Sequence, residues 1–265
     1  MITIAEKINA TIPATRRIIE ERDTTALLDL ARRQADAGAD YIDVNVGTGH
    51  GSGADEIAAM TWAVNTIQEA FDTPLCIDSA DADVLEAGLV ARRGRPALIN
   101  STKATEENLT AVVPLAARFK LPLVGLAMDQ TGIPPSAEAR LAACHKIAAF
   151  CARHGVPEED LFFDPLVVPV STDIRQGMIT LETIRAIKEA LPRAKTVLAV
   201  SNISFGLPQR QRLNGAFIQM AVAAGLDGGI LNVLDRELTG AIRAAEVLTG
   251  RDKHCRRYTR FFRQR

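Results

Sequence analysis

In this chain of 265 residues, short apolar runs repeatedly end in a carboxylate, an amide or a hydroxyl. Glu6 lies inside the first run, which ends at Asn9; Asp43 and Asn45 sit two apart in the second. Asp78-Ser79 closes the third, Asn100-Ser101-Thr102 the fourth, and Asp129-Gln130 follows the fifth. Asp164-Pro165 closes the sixth, Ser201-Asn202 the seventh, and Asn232 then Asp235 end the eighth. This set of Asp and Asn, almost without cations, suits a neutral heterocycle that presents N–H donors beside carbonyl acceptors. A carboxylate accepts two parallel N–H bonds from an amino-pyrimidinone edge, and an amide donates and accepts on one molecule.

Asp, Asn and Ser are also favoured helix N-caps, so capping competes with binding at each single position. It competes less well at Asp43 and Asn45. They share one face of an extended run, and a buried face would have to satisfy them with partners. Asp164 is also unlike a simple cap, because the residues after Pro165 stay apolar and extended. The four histidines (His50, His145, His154, His254) fall outside the apolar runs, which argues against a metal-dependent hydrolase. No lysine ends a late run, which weakens a Schiff-base reading; Lys7 and Lys103 are the nearest, and Lys103 is expected to open a helix. Cys76, Cys144, Cys151 and Cys255 form no C-x-x-C pair, so neither a zinc nor a redox motif is expected. Gly47-Thr48-Gly49-His50-Gly51-Ser52-Gly53 does not fit G-x-G-x-x-G and follows the second run rather than the first. It reads as a flexible loop over the site, with a nucleotide loop as the lesser alternative.

The runs that must position these groups read as eight strands: Thr3–Ile8, Tyr41–Val46, Leu75–Asp78, Ala97–Asn100, Leu123–Met128, Leu161–Asp164, Thr196–Val200 and Gly229–Val233. Between them apolar residues recur at helical spacing. Ile18, Leu27, Leu28 and Ala31 fall in the first helix, and Met60, Ala63, Val64 and Ile67 in the second. Gly38, Gly88, Gly155, Gly225 and Gly250 are placed to end helices. Strand-then-helix units of this length, eight times over, point to a single-domain (β/α)₈ TIM barrel spanning 1–265, whose active site lies at the C-terminal ends of its strands. An open doubly wound sheet is the alternative, with fewer strands and a Gly-rich first turn. Aromatic residues make up 5%, which suits an aliphatic, buried parallel sheet. A formal net charge of −1 excludes a nucleic-acid binder that relies on global charge. No targeting segment or membrane span is evident, so a cytoplasmic protein with reduced thiols is expected. From about 251 the chain turns basic. The tail is expected to pack Tyr258, Phe261 and Phe262 on the barrel; a docking surface for an acidic partner is the sharper alternative.

Glu6-Lys7-Ile8-Asn9, Asp43-Val44-Asn45-Val46-Gly47, Cys76-Ile77-Asp78-Ser79, Leu98-Ile99-Asn100-Ser101-Thr102, Asp164-Pro165-Leu166 and Ser201-Asn202-Ile203-Ser204 occur in that order. Together they resemble the pterin-binding methyltransferases, and among them the methyltetrahydrofolate:corrinoid protein methyltransferases. The resemblance implies a TIM barrel that binds tetrahydrofolate or 5-methyltetrahydrofolate in its mouth. It implies that Asp78, Asn100 and Asp164 hydrogen-bond the pyrimidine edge of the pterin. It places Asn202, next to Ser201, near N5 as the catalytic residue. Asp43 and Asn45 match the polar motif of strand two, Glu6 that of strand one, and Arg210 a family arginine after strand seven. It also implies a homodimer.

After Ser204 stands Phe205, where the acetogenic enzymes carry a glutamine. The loop Phe205-Gly206-Leu207-Pro208-Gln209-Arg210 looks more like the catabolic demethylase branch and the folate module of methionine synthase. A D-x-H-x-x-G cobalamin motif is missing. Its nearest string, Asp252-Lys253-His254-Cys255-Arg256-Arg257, lacks the glycine. The corrinoid (cobalamin) is therefore expected on a partner protein, with neither nucleic acid nor membrane as a further partner. A dihydropteroate synthase-like enzyme is a competing reading. It needs cations for a pyrophosphate leaving group, and strands seven and eight offer Ser201-Asn202 and Asn232 instead. A non-catalytic folate-binding component is the third. The direction of methyl transfer stays open.

Overall fold

The computed structural model describes residues 1–48 and 52–263. In chain order the elements are β1 (Ile2–Asn9), α1 (Pro13–Glu20), α2 (Thr24–Asp36), β2 (Tyr41–Asn45), α3 (Gly53–Ala70), β3 (Leu75–Asp78), α4 (Ala82–Ala91), β4 (Ala97–Lys103) and α5 (Glu106–Phe119). There follow β5 (Leu123–Leu126), α6 (Ala137–Arg153), β6 (Leu161–Asp164), α7 (Gln176–Ala190), β7 (Lys195–Ala199), α8 (Arg210–Ala224), β8 (Gly228–Leu231), α9 (Arg236–Leu248) and α10 (Arg256–Arg263). The strands close in sequence order, β1 through β8, and β8 pairs with β1 in parallel. The fold is the expected (β/α)₈ barrel.

Strand alternation sorts the side chains into two environments. Outward residues such as Ile42, Ile77, Ile99 and Phe163 pack under the helices in one large buried cluster. Inward residues Ile4, Cys76, Leu98, Val124, Phe162 and Val197 form a separate apolar plug inside the barrel. Because the side-chain period of a strand is two, the next inward positions are Glu6, Asp78, Asn100 and Asp164. On β2 the inward series from Tyr41 continues to Asp43 and Asn45. The plug closes the barrel beneath them, and the polar layer sits on its floor at the C-terminal ends of the strands.

Several expectations are corrected. The first helical stretch is two helices, separated where Arg22 takes a left-handed φ of 53° and Asp23 caps α2. β4 continues to Lys103, so Lys103 ends a strand instead of opening a helix. β7 ends at Ala199, and Ser201 and Asn202 lie on a short 3₁₀ turn, Val200–Ser204. Gly88 does not end a helix: it lies inside α4, where a Cβ would come within 2.7 Å of Ile77 Cγ2 and 2.9 Å of Met60 Cγ. Its small size lets α4 approach β3 and α3. Gly38, Gly155, Gly225 and Gly250 do follow helices with positive φ. The tail folds as α10 on α9, with the Phe262 ring against Gly240 and Arg236 over Phe261.

Candidate functional site

The ladders between β2, β3 and β4 place Asn45, Asp78 and Asn100 at the same level: Asn45 pairs with Asp78, and Asp78 with Asn100. The Asn45 side-chain amide donates to Asp78 Oδ2 at 2.8 Å, and Asn45 Oδ1 accepts the Gly47 N–H at 3.1 Å. Asn45 is thus fixed at both ends. One inward position below, Asp43 is 2% exposed, and its Oδ1 has no hydrogen-bond partner. Burial, followed by the neighbouring Asp78, pushes Asp43 well above the usual carboxylate range, against opposing hydrogen bonding from Cys76 and Asn100. Asp78 is also pushed up by burial, which the Asn45 hydrogen bond partly offsets. A buried acceptor without a donor is costly.

β1 completes this side. Its register with β2 shifts between Ala5 and Ile8, so Glu6 and Lys7 together oppose Asp43. Bulges of this kind re-aim side chains beside active sites. Burial raises Glu6 above its ordinary range, opposed by the charges of Lys7 and Arg210.

Asp164 ends β6 on the far side of the barrel, 6% exposed. Its Oδ1 accepts the Leu166 N–H at 2.8 Å. Burial pushes its carboxyl up to about 7, even with that bond and the charge of Arg140 acting against it. It caps no helix, since α7 begins only at Gln176. The sequence reading missed Arg140, which is fully buried on α6 and donates to Pro134 O before that helix and to Pro165 O and Leu166 O just after Asp164. A signal was available: Arg140 falls on the same helical stripe as Cys144, Ile147 and Cys151.

The 3₁₀ turn after β7 holds Ser201 half-buried and Asn202 exposed. Arg210, the first residue of α8, fastens this turn. Its Nη2 donates to Ser201 O at 2.7 Å and its Nε to Ser204 Oγ at 3.0 Å. Its charge also reaches Glu6. Arg210 therefore links the Asn202 turn to the β1 side of the mouth, with two of its donors committed to protein acceptors.

The remaining polar residues at the strand ends are used by their own loops. Asn9 Oδ1 accepts from Thr11, Asp129 Oδ1 from Thr131, Asn232 Oδ1 from Leu234, and Asp235 caps α9. Capping and binding, which compete in the sequence, are thus divided between two sets. The inward set is Glu6, Asp43, Asn45, Asp78, Asn100 and Asp164. Of the glycine-rich segment, Gly49, His50 and Gly51 lie outside the described residues. Ser52 and Asp55 form a capping box at the start of α3.

Residues 6–232 match the family described as pterin binding enzyme. The whole chain aligns with a methylcorrinoid:tetrahydrofolate methyltransferase of Eubacterium limosum, 34% identical over 266 residues and 97% of that protein. It is also 30% identical over 245 residues to a methionine synthase of Mycobacterium tuberculosis, covering 88% of this chain but only 20% of that protein. Among solved structures, a dihydropteroate synthase of Vibrio fischeri superposes with a TM-score of 0.71 at 16% identity, covering 94% of this chain and 93% of that one. A Yersinia pestis dihydropteroate synthase in complex with a sulfonamide drug gives 0.71 at 18%, covering 94% of each chain. At that identity the likeness is one of fold.

Proposed function

The chain belongs to the pterin binding enzyme family, and from that premise we propose that it moves a methyl group between N5 of tetrahydrofolate and the cobalt of a corrinoid held on a separate protein. The full-length similarity to a methylcorrinoid:tetrahydrofolate methyltransferase supports the reaction class. The observation that carries the reading is the inward polar layer. Asp43, Asp78 and Asp164 are carboxyls held above their ordinary range by burial, gathered with Asn45 and Asn100 on the floor of the barrel mouth. The N–H groups of an amino-pyrimidinone edge are donors that carboxylates such as Asp78 and Asp164 accept.

In this reading Asp78, Asn100 and Asp164 bind the pyrimidine edge. Asp43 and Asn45 set the charge and orientation of Asp78, and Glu6 borders the mouth on the β1 side. Asn202 sits at the rim beside Ser201, where it meets N5. A tertiary amine is a poor leaving group, and a proton on N5 improves it. Asn202 hydrogen-bonds N5 and favours the protonated form in the transition state without adding charge of its own. Arg210 keeps the turn of Asn202 in place through Ser201 and Ser204. When bound, the corrinoid supplies the cobalt that gives or accepts the methyl group. The barrel's contribution is to align two large reactants. The exposed position of Asn202 leaves the reacting atoms open to a partner docked over the mouth. Tetrahydrofolate is the substrate, the corrinoid protein is the partner, and the enzyme acts as a homodimer. Among the described residues, no helix is long and apolar enough to cross a membrane.

Isothermal titration of the purified protein with 5-methyltetrahydrofolate tests the reading. Saturable binding at micromolar levels or tighter is expected, and loss of that binding in Asp164→Ala. No heat and no saturation in the wild type would remove the proposal.

A further inference from the structure

We propose that Arg140 is the positioning residue for Asp164, holding the aim and the charge balance of that carboxylate through Leu166; the inference rests on the folate-binding role assigned above.

The argument starts from where the guanidinium spends its donors. Nε donates to Pro134 O at 3.0 Å, Nη1 to Pro165 O at 3.1 Å and to Leu166 O at 2.8 Å, and Nη2 to Gln176 Oε1 at 2.8 Å. One side chain thus ties together the loop before α6, the two residues after β6 and the first turn of α7. Leu166 is the shared element. Its N–H is on Asp164, its carbonyl accepts from Arg140 and from Thr180 Oγ1 at 3.2 Å, and its φ is left-handed at 64°. A leucine holds that conformation only where the surroundings over-determine it. Release of the Arg140 bond would let Leu166 relax, and the N–H that aims Asp164 would move with it.

Charge gives a second, independent reason. Arg140 is 0% exposed, and among the described residues it makes no ion pair. A buried cation without a counter-ion is costly. The carboxyl that feels it is Asp164; the other titratable group coupled to Asp164 is the buried thiol of Cys144, also on α6. Ionised Asp164 and Arg140 therefore balance one another in the same dry region. A lysine cannot replace this fork, because a point charge cannot reach acceptors on three segments.

The test reads Asp164 directly. Its carboxyl carbon is followed by NMR across pH in ligand-free protein carrying ¹³C-labelled aspartate, with Asp164→Asn to assign the signal. Gln176→Glu keeps the contact to Arg140 and offsets its charge, while it gives up the Gln176 Nε2 donation to the loop carboxylate of Asp173 at 3.3 Å; Asp173→Asn in the same background removes the like-charge contact. Arg140→Met removes fork and charge together, and the first variant carries the test if the second does not fold. In both, the Asp164 midpoint is expected to rise by about one pH unit. The affinity for 5-methyltetrahydrofolate is then expected to fall about fivefold at pH 7 and to approach wild type at pH 9 in Gln176→Glu. Turnover at saturating folate should change much less. An unmoved midpoint in the variants that fold overturns the inference. A uniform loss of affinity at every pH also overturns it, since that is what a purely structural role produces. Absence of folate binding in the wild type is a different result: it removes the proposed function, while the NMR midpoint still decides the role of Arg140.

Discussion

Asn45 and Asp78 face one another on neighbouring strands, and the amide of the first donates to the carboxylate of the second at 2.8 Å. The bond favours the ionised form of a buried acid and so keeps its pKa from rising further. Replacing Asn45 with Leu removes that donor at similar volume. Asp78 should then titrate higher still, and 5-methyltetrahydrofolate should bind about tenfold more weakly at pH 7, the cost of one lost hydrogen bond to a charged group. Titration calorimetry at pH 7 checks this. Unchanged affinity would show that Asp78 does not meet the ligand.

Binding itself should depend on pH with a definite sign. In the free protein the Asp164 carboxyl sits at about 7. Donors on a pterin edge require the carboxylate, so below pH 7 the ligand must first displace a proton. The apparent Kd should level off above pH 7, rise toward tenfold per pH unit between 7 and 6, and rise more steeply below 6, where Asp78 at about 6 is protonated as well. Calorimetry in buffers of different ionisation enthalpy should show proton release at pH 6 and little at pH 9.

The same group should weaken the empty fold as pH rises. Its folded pKa lies above the ordinary value of 3.8, so the folded state binds more protons than the unfolded one between these two values. Stability therefore falls as pH climbs from about 4 through 7, by an amount on the order of 4 kcal/mol for a shift of about three units. Asp164→Asn keeps an acceptor for Leu166 but carries no charge. Its Tm should exceed that of the wild type by roughly 5–10 °C at pH 8, and the gap should shrink at pH 5. A gap that does not change with pH would contradict the assignment.

Much of this was legible in the chain. The alternation of polar ends with apolar runs marked eight strands, and the two-residue spacing of Asp43 and Asn45 put both inside the barrel. What stayed hidden depends on tertiary contacts. Arg22, Arg93 and Lys120 take left-handed conformations at or near helix ends where a glycine is the usual signal, so the break between α1 and α2 was not visible. Gly88 looked like such a signal but is a close-packing residue. Asn9, Asp129, Asn232 and Asp235 share residue types with the site and differ from it only in which backbone N–H lies in reach. Arg140 lies on an otherwise apolar helical stripe, and its role is set by three segments distant in sequence that close around it.

The Gly88 contact is a sensitive point of the fold beneath the site. Gly88→Ala would press a methyl group against Ile77 and Met60. A loss of about 1–3 kcal/mol is expected, the usual range for overpacking. Ile77 adjoins Asp78, so folate affinity should fall with it. Denaturant unfolding and calorimetry measure the two effects.

The most direct test of the account is methyl transfer by the purified protein supplied with 5-methyltetrahydrofolate and chemically reduced cobalamin. The visible spectrum should change from the reduced to the methylated form, with one tetrahydrofolate released for each methyl group moved. Asn202→Ala should bind folate nearly as well and turn over at least about a hundredfold more slowly, as expected for loss of a group that acts in the transition state. Saturable folate binding without any methyl transfer would contradict the account and leave a folate-binding protein in its place.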